Sequence, residues 1–219
     1  FKKRSAAGSL SLRKLENKMA ICNEIVPLTY SADGYLRFGD SVILQHDTSG
    51  SILACDPFEH VQISQDTFFV TTIANPSPLQ AKARNTFRIM RPPKHLQNVT
   101  DREDDPVVRV GQPFVLACSE PLLIPPASGN TSTMSNMLLP TLYLCSTKKN
   151  ERTATKRTNR QMVFMNSSLD CDAIWYVSIP SKGKANGTER FLSVGSPVSN
   201  SVSYQLTHRQ TNMYLTCDM

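Results

Sequence analysis

The chain has 219 residues, 40% of them hydrophobic and 19% charged, and its 24 Lys and Arg against 18 Asp and Glu give a formal net charge of +6. That apolar share excludes a disordered polar chain, and no apolar run reaches the roughly 18 residues that span a bilayer. No membrane partner is expected, and the basic excess directs attention to acidic partners.

In chain order, residues 1–29 read as a basic arm carrying Lys2, Lys3, Arg4, Arg13, Lys14 and Lys18. Within it Leu12, Leu15, Met19 and Cys22 fall at i, i+3, i+7 and i+10, one face of a short helix. That helix either packs on its own domain or lies along a partner. Residues 30–219 read as one β-rich domain. A first hairpin is followed by strand-like runs at Thr67–Ile73 and Asn85–Met90, both β-branched or aromatic and both ended by Pro-containing turns. Phe114–Cys118 and Leu142–Thr147 form a second hairpin, with Met162–Met165 and Ala173–Ile179 after it in the same order. Two inserted loops read as surface excursions, 119–140, rich in Pro, Ser and Met, and 148–160, which carries Lys148, Lys149, Arg152, Lys156, Arg157 and Arg160.

The hairpins repeat. Leu44 to Asp56 returns as Leu206 to Asp218, with Leu, His, Leu, Cys and Asp identical at a constant offset of 162 residues (44 to 206). The second hairpin is a weaker copy, so the spacing is longer than the usual solenoid and propeller periods of about 20 to 50 residues. Four strands written three times predict a β-trefoil, a closed barrel capped by hairpins with few open edges. An antiparallel sandwich is the other fold considered, and the repeat argues against it. The chain opens on Phe1 and stops two strands short in its third unit, which we read as a fragment or processed form.

Six cysteines and four Asn-x-Ser/Thr sequons (Asn98, Asn130, Asn166, Asn186) raise a secreted, disulfide-bonded reading. About two to three sequons arise by chance at this composition. Cys55, Cys118, Cys145 and Cys217 sit in or at the end of apolar strands, as small buried hydrophobes do. Reduced cytosolic thiols are preferred over disulfides, and a metal is not expected without C-x-x-C or His-pair spacing. No P-loop, G-x-S-x-G or metalloprotease helix is present, so neither catalytic residues nor a cofactor are predicted. His46 and His208, at equivalent hairpin positions, are expected to serve their turns, and Trp175 to lie in the core or barrel floor. His60 and His95 follow turns and are expected to be solvated.

Asp33-Gly-Tyr-Leu-Arg-Phe-Gly-Asp-Ser-Val-Ile-Leu44, Ala83-Arg-Asn-Thr-Phe-Arg-Ile89, Val108-Arg-Val-Gly-Gln-Pro-Phe-Val-Leu116 and Leu142-Tyr-Leu144 resemble, in order and spacing, the cilia- and flagella-associated protein 161 family. Gly195-Ser-Pro-Val198, Leu206-Thr-His208 and Asn212 continue the match, which runs from about Tyr30 to the end of the sequence. The resemblance implies a non-enzymatic microtubule inner protein with a MIR-type trefoil, bound inside the axonemal doublet of a cilium or flagellum. Its implied partners are α/β-tubulin and neighbouring inner proteins. The two long loops and the absent last two strands depart from the family pattern. Tubulin is acidic, so the twelve cations of the arm and of loop 148–160 are the expected partner-binding residues, each exposed pair contributing about 0.2–1 kcal/mol.

Two other readings compete. Nucleic acid is disfavoured, because single-strand binders interleave aromatics with their cations and the basic runs contain none beyond Phe1. A carbohydrate-binding, lectin-like trefoil predicts an aromatic platform beside Asp or Asn in each unit. Asp56 and Asp218 recur without a matched aromatic, and a glycan array would separate the two.

Overall fold

The computed structural model describes residues 12, 13, 15–64, 66–74, 78–99, 101, 104–119, 141–180 and 187–217. Among them are β1 (Ser41–Val42), β2 (Ile52–His60), β3 (Thr67–Ile73), β4 (Phe87–Met90), β5 (Val115–Cys118), β6 (Tyr143–Ser146), β7 (Val163–Asn166), β8 (Trp175–Ser178) and β9 (Gln205–His208). The first seven form one sheet in the order β1-β4-β5-β6-β7-β3-β2, and β8 pairs with β9. Every pairing is antiparallel. The molecule is mostly β, as expected, and the predicted strands fall within one or two residues of the observed ones. Short 3-10 turns at Ala83–Asn85 and Cys171–Ala173 precede β4 and β8. A helix at Gly187–Ser193 was not anticipated from the sequence.

Composition explains the local geometry. In β2 the apolar run Ile52–Cys55 is buried, and Pro57, which has no N–H to give a ladder, coincides with a register shift between Asp56 and His60. Phe87, Leu116, Leu144, Met165 and Trp175 fill the main core, while Val115, Cys145, Phe164 and Ile174 form a smaller cluster.

The sequence repeat is written in the hydrogen bonds. The Leu36 N–H donates to the Val198 carbonyl, Val198 N–H to Val108, and Val108 N–H to Leu36, each at 2.9 Å, closing a three-way ring. Bridges Tyr35↔Ser199, Arg37↔Val107 and Arg109↔Pro197 surround it. Val42 opposite Phe87 is matched by Phe114 opposite Trp175. Phe87 opposite Cys118 is matched by Trp175 opposite His208. The first and third hairpins share one turn: His46 N–H donates to Ser51 O (2.8 Å) and His208 N–H to Met213 O (2.9 Å). Both close on a left-handed residue, Gly50 (φ 68) or Asn212 (φ 55), which Gly and Asn tolerate best.

Candidate functional site

Of the twelve predicted partner-binding cations, Lys2, Lys3, Arg4 and Lys14 lie outside the described residues. Arg13 and Lys18 are exposed on the arm, where residues 15–22 are helical. This helix is held mainly at its end. Cys22 is buried, Val26 N–H donates to Ala81 O (3.3 Å), and Ala83 N–H donates to Glu24 O (2.8 Å). The Lys18 ammonium sits 5.4 Å from the Phe58 ring centroid, within cation–π range. Leu12, Leu15 and Met19, predicted to share Cys22's face, are exposed at 62%, 57% and 46%. Only the last position of that apolar row is covered.

Loop 148–160 is mostly exposed and is braced by its own hydrogen bonds. Thr153, 2% exposed, accepts from Asn150 N–H (2.8 Å) and donates to the Lys148 carbonyl (3.1 Å). Asn150 Oδ1 accepts from the N–H groups of Arg152 and Thr153. Beyond it, Thr155 N–H donates to Arg160 O (2.8 Å), Asn159 N–H donates to Thr155 O (2.9 Å), and Asn159 is left-handed (φ 52). This is the hairpin turn again, at a place the repeat did not predict. Hydroxyls of Thr155 and Thr158, 2.8 Å apart, stand where the other turns pair an imidazole with a hydroxyl. Gln161 Nε2 ties the loop to Ser146 Oγ (2.6 Å) and Thr211 Oγ1 (2.9 Å), and Arg160 reaches Thr216 Oγ1 (3.3 Å). Lys148, Lys149, Arg152, Lys156, Arg157 and Arg160 are all exposed. Among the described residues the first five have no acidic partner in a salt bridge. The loop that carries these exposed cations is therefore tied to the 208–213 turn through Gln161 and Thr211.

The histidines serve their turns. His46 Nδ1 accepts from Ser49 N–H (3.3 Å), with the Ser49 hydroxyl at 2.8 Å. The repeat equivalent His208 has Thr211 Oγ1 at 2.9 Å from Nδ1 and donates through Nε2 to the Asp172 carbonyl (3.0 Å). Burial pushes its pKa down, opposed by that carbonyl. Trp175, 1% exposed, donates to Leu144 O (2.7 Å) and tilts over His208 at 4.9 Å between ring centroids, a core role as expected. His95 is exposed, whereas His60, also exposed, contacts the Phe68 ring at 4.7 Å. Cys22, Cys55, Cys118 and Cys145 are buried free thiols, and burial raises the Cys118 pKa to about 11, far from a reactive thiolate. Cys217, by contrast, is half-buried.

One repeated pair escaped the sequence reading. Arg37 Nη2 bonds Asp33 Oδ2 at 2.5 Å, and Arg109 Nη2 bonds Asp105 Oδ2 at 2.7 Å. The signal was legible as Asp-x-x-x-Arg before each Gly-Asp or Gly-Gln. The two pairs line two open clefts of about 330 and 430 Å³. Arg37, Ser31 and the Tyr35 N–H hold the Asp33 carboxyl well below the usual carboxylate range. The Val107 N–H, then Arg109, lower that of Asp105. Arg109 Nη1 also donates to Gly195 O (2.8 Å) in the third unit. These bonds occupy the carboxylates and most of each guanidinium; the Asp33–Arg37 pair braces its own turn, while Arg109 alone also ties its segment to another, at Gly195. Among the described residues, Asp170, Cys171 and Asp172 place three ligating atoms within 4.8 Å. Asp170 already caps its turn by accepting from Asp172 N–H (2.9 Å).

Among the described residues no helix is long and apolar enough to cross a membrane. No protein-family model and no curated protein matches the chain. Among solved structures it is similar to a Caenorhabditis elegans protein from structural genomics, described as a protein with unknown function. The identity is 15% and the TM-score 0.49, with 84% of this chain and 80% of that one covered.

Proposed function

We propose that this chain is a β-trefoil microtubule inner protein of a cilium or flagellum, similar to the cilia- and flagella-associated protein 161 family, that strengthens the axonemal doublet without catalysis. The trefoil reading is supported by the three-way ring at Leu36, Val108 and Val198 and by the matched pairings around it. The observation that carries the functional reading is the loop 148–160, a set of exposed cations on a backbone fixed by buried Thr153. A fixed loop loses little conformational freedom on binding, and an acidic tubulin surface is the complementary partner. The arm, with its exposed Leu12, Leu15 and Met19, adds apolar contact to tubulin or a neighbouring inner protein. The mechanism is mechanical: the barrel acts as a plug, and its loop and arm bridge adjacent subunits.

Tagging the protein in a flagellated cell and extracting the axoneme with detergent, then high salt, tests this. Signal along the axoneme that survives detergent supports the proposal. Signal in the secretory pathway or at the cell surface overturns it in favour of the lectin-like reading.

A further inference from the structure

A hydroxyl residue with Lys or Arg two positions away on both sides occurs twice within the 219 residues, at Thr86 (Arg84, Arg88) and at Thr158 (Lys156, Arg160). The fold separates the two copies. Thr86 is 1% exposed, between the 3-10 turn Ala83–Asn85 and β4, so no enzyme reaches it in the folded chain. Thr158 lies in the turn 155–160, where residues 156–160 are all exposed. Its hydroxyl is 2.8 Å from that of Thr155, and Arg157 adds a third cation on its N-terminal side. The turn is also free to extend without disturbing the core. Three bonds that close it meet at Thr155, whose N–H donates to Arg160 O (2.8 Å), whose carbonyl accepts from Asn159 N–H (2.9 Å) and whose hydroxyl accepts from Arg160 N–H (3.0 Å). Buried Thr153 and the Ala154↔Gln161 bridge hold the base of the loop. Local opening of an exposed turn costs far less than global unfolding, so residues 156–160 open while that base stays closed.

We propose that Thr158 is a phosphorylation site for a serine/threonine kinase whose substrate groove is acidic on both sides of the acceptor. Kinases choose among hydroxyls by such charge patterns. In the transfer the Thr158 oxygen attacks the γ-phosphorus of MgATP, the bond from that phosphorus to the ADP oxygen breaks, and the hydroxyl proton passes to the catalytic-loop Asp of the kinase. The products are phosphothreonine and ADP. The new group carries about −1.5 to −2 charge near pH 7. It lands beside Lys156, Arg157 and Arg160, whose N–H groups are strong donors to phosphate oxygens. It therefore cancels part of the loop's positive charge from within. The transfer itself is independent of the microtubule reading; only the resulting loss of attachment to tubulin rests on it.

The test incubates the purified 219-residue chain, and a synthetic peptide copying residues 152–164, with MgATP and a purified kinase that selects Lys or Arg on both sides of its acceptor. Fragmentation mass spectrometry is expected to place phosphate on Thr158 in both, and none on Thr86 of the folded chain. Lys156→Ala together with Arg160→Ala is expected to slow incorporation at least tenfold in chain and peptide alike, which separates recognition from any effect on folding. The phosphorylated chain is then expected to leave immobilised polyglutamate at lower salt than the unmodified chain. Absence of phosphate on Thr158 in the chain, whether or not the peptide accepts it, overturns the site, as does an equal rate for the double variant. Unchanged elution from polyglutamate with Thr158 modified overturns the charge masking. A cell in which the protein is absent from the axoneme sinks the microtubule reading and leaves each of these outcomes as it stands.

Discussion

In loop 148–160 a buried threonine, an asparagine and a left-handed turn fix the backbone before any partner arrives. In the arm, the helix is anchored by Cys22 and the residues just after it, while Leu12, Leu15 and Met19 face outward. Both regions read in the sequence as basic runs seeking an acid. The difference is in what each must give up on binding. The loop presents charge on a prepaid shape, so its contribution is electrostatic and screened by salt. The arm presents apolar area, about 25 cal/mol per Å² once covered, from a helix held mainly at its end.

The largest effect that separates the two comes from charge reversal. Replacing Lys148, Lys149, Lys156 and Arg157 with Glu is expected to remove about 1–4 kcal/mol of attachment, taking about 0.2–1 kcal/mol for each exposed pair. Salt extraction of axonemes reads this as release at lower salt, with the unfolding midpoint of the purified protein unchanged. Retention equal to wild type would make the loop merely solvated.

Thr153→Val tests whether the loop is truly stapled. Two backbone groups lose their hydroxyl partner in a buried site, a loss of about 1–3 kcal/mol in denaturant unfolding. An unfolding curve superimposable on wild type would remove the basis for calling the loop preorganised.

Acid sharpens the comparison further, because two similar turns differ in one ring. His208 has a folded pKa below its unfolded value, since burial disfavours the charged imidazole. The unfolded state therefore binds more protons as pH falls below about 6.5, and stability declines from there through the folded pKa. His208→Gln is expected to flatten that decline in pH-dependent melting, whereas the threonine-built turn at 155–160 contributes none. The smallest effect is Leu15→Ser with Met19→Ser. Exposed substitutions of this kind stay within about 0.5 kcal/mol in stability, so any loss of retention in the axoneme reports a contact made by the arm.

Much of the fold was legible because the repeat fixed which segments are equivalent, and alternation with β-branched residues marked each strand. What the sequence hid were pairings whose partners change identity between copies. The turn at Thr155–Arg160 lacks the histidine that flagged the other two, although its backbone is the same. Asp33–Arg37 and Asp105–Arg109 were visible as spacing but have no third copy, since Gly195 and Ser199 occupy those places. The exposure of Leu12, Leu15 and Met19 is a tertiary fact: helical periodicity specifies a face, not what covers it.

Imaging doublet microtubules from cells with and without the gene tests the central claim most directly. A barrel-sized density on the inner wall, touching tubulin through a loop and an arm, is expected to disappear in the null cells and return with the wild-type protein. A doublet lumen identical in the two strains, or a density on the outer surface, would contradict it.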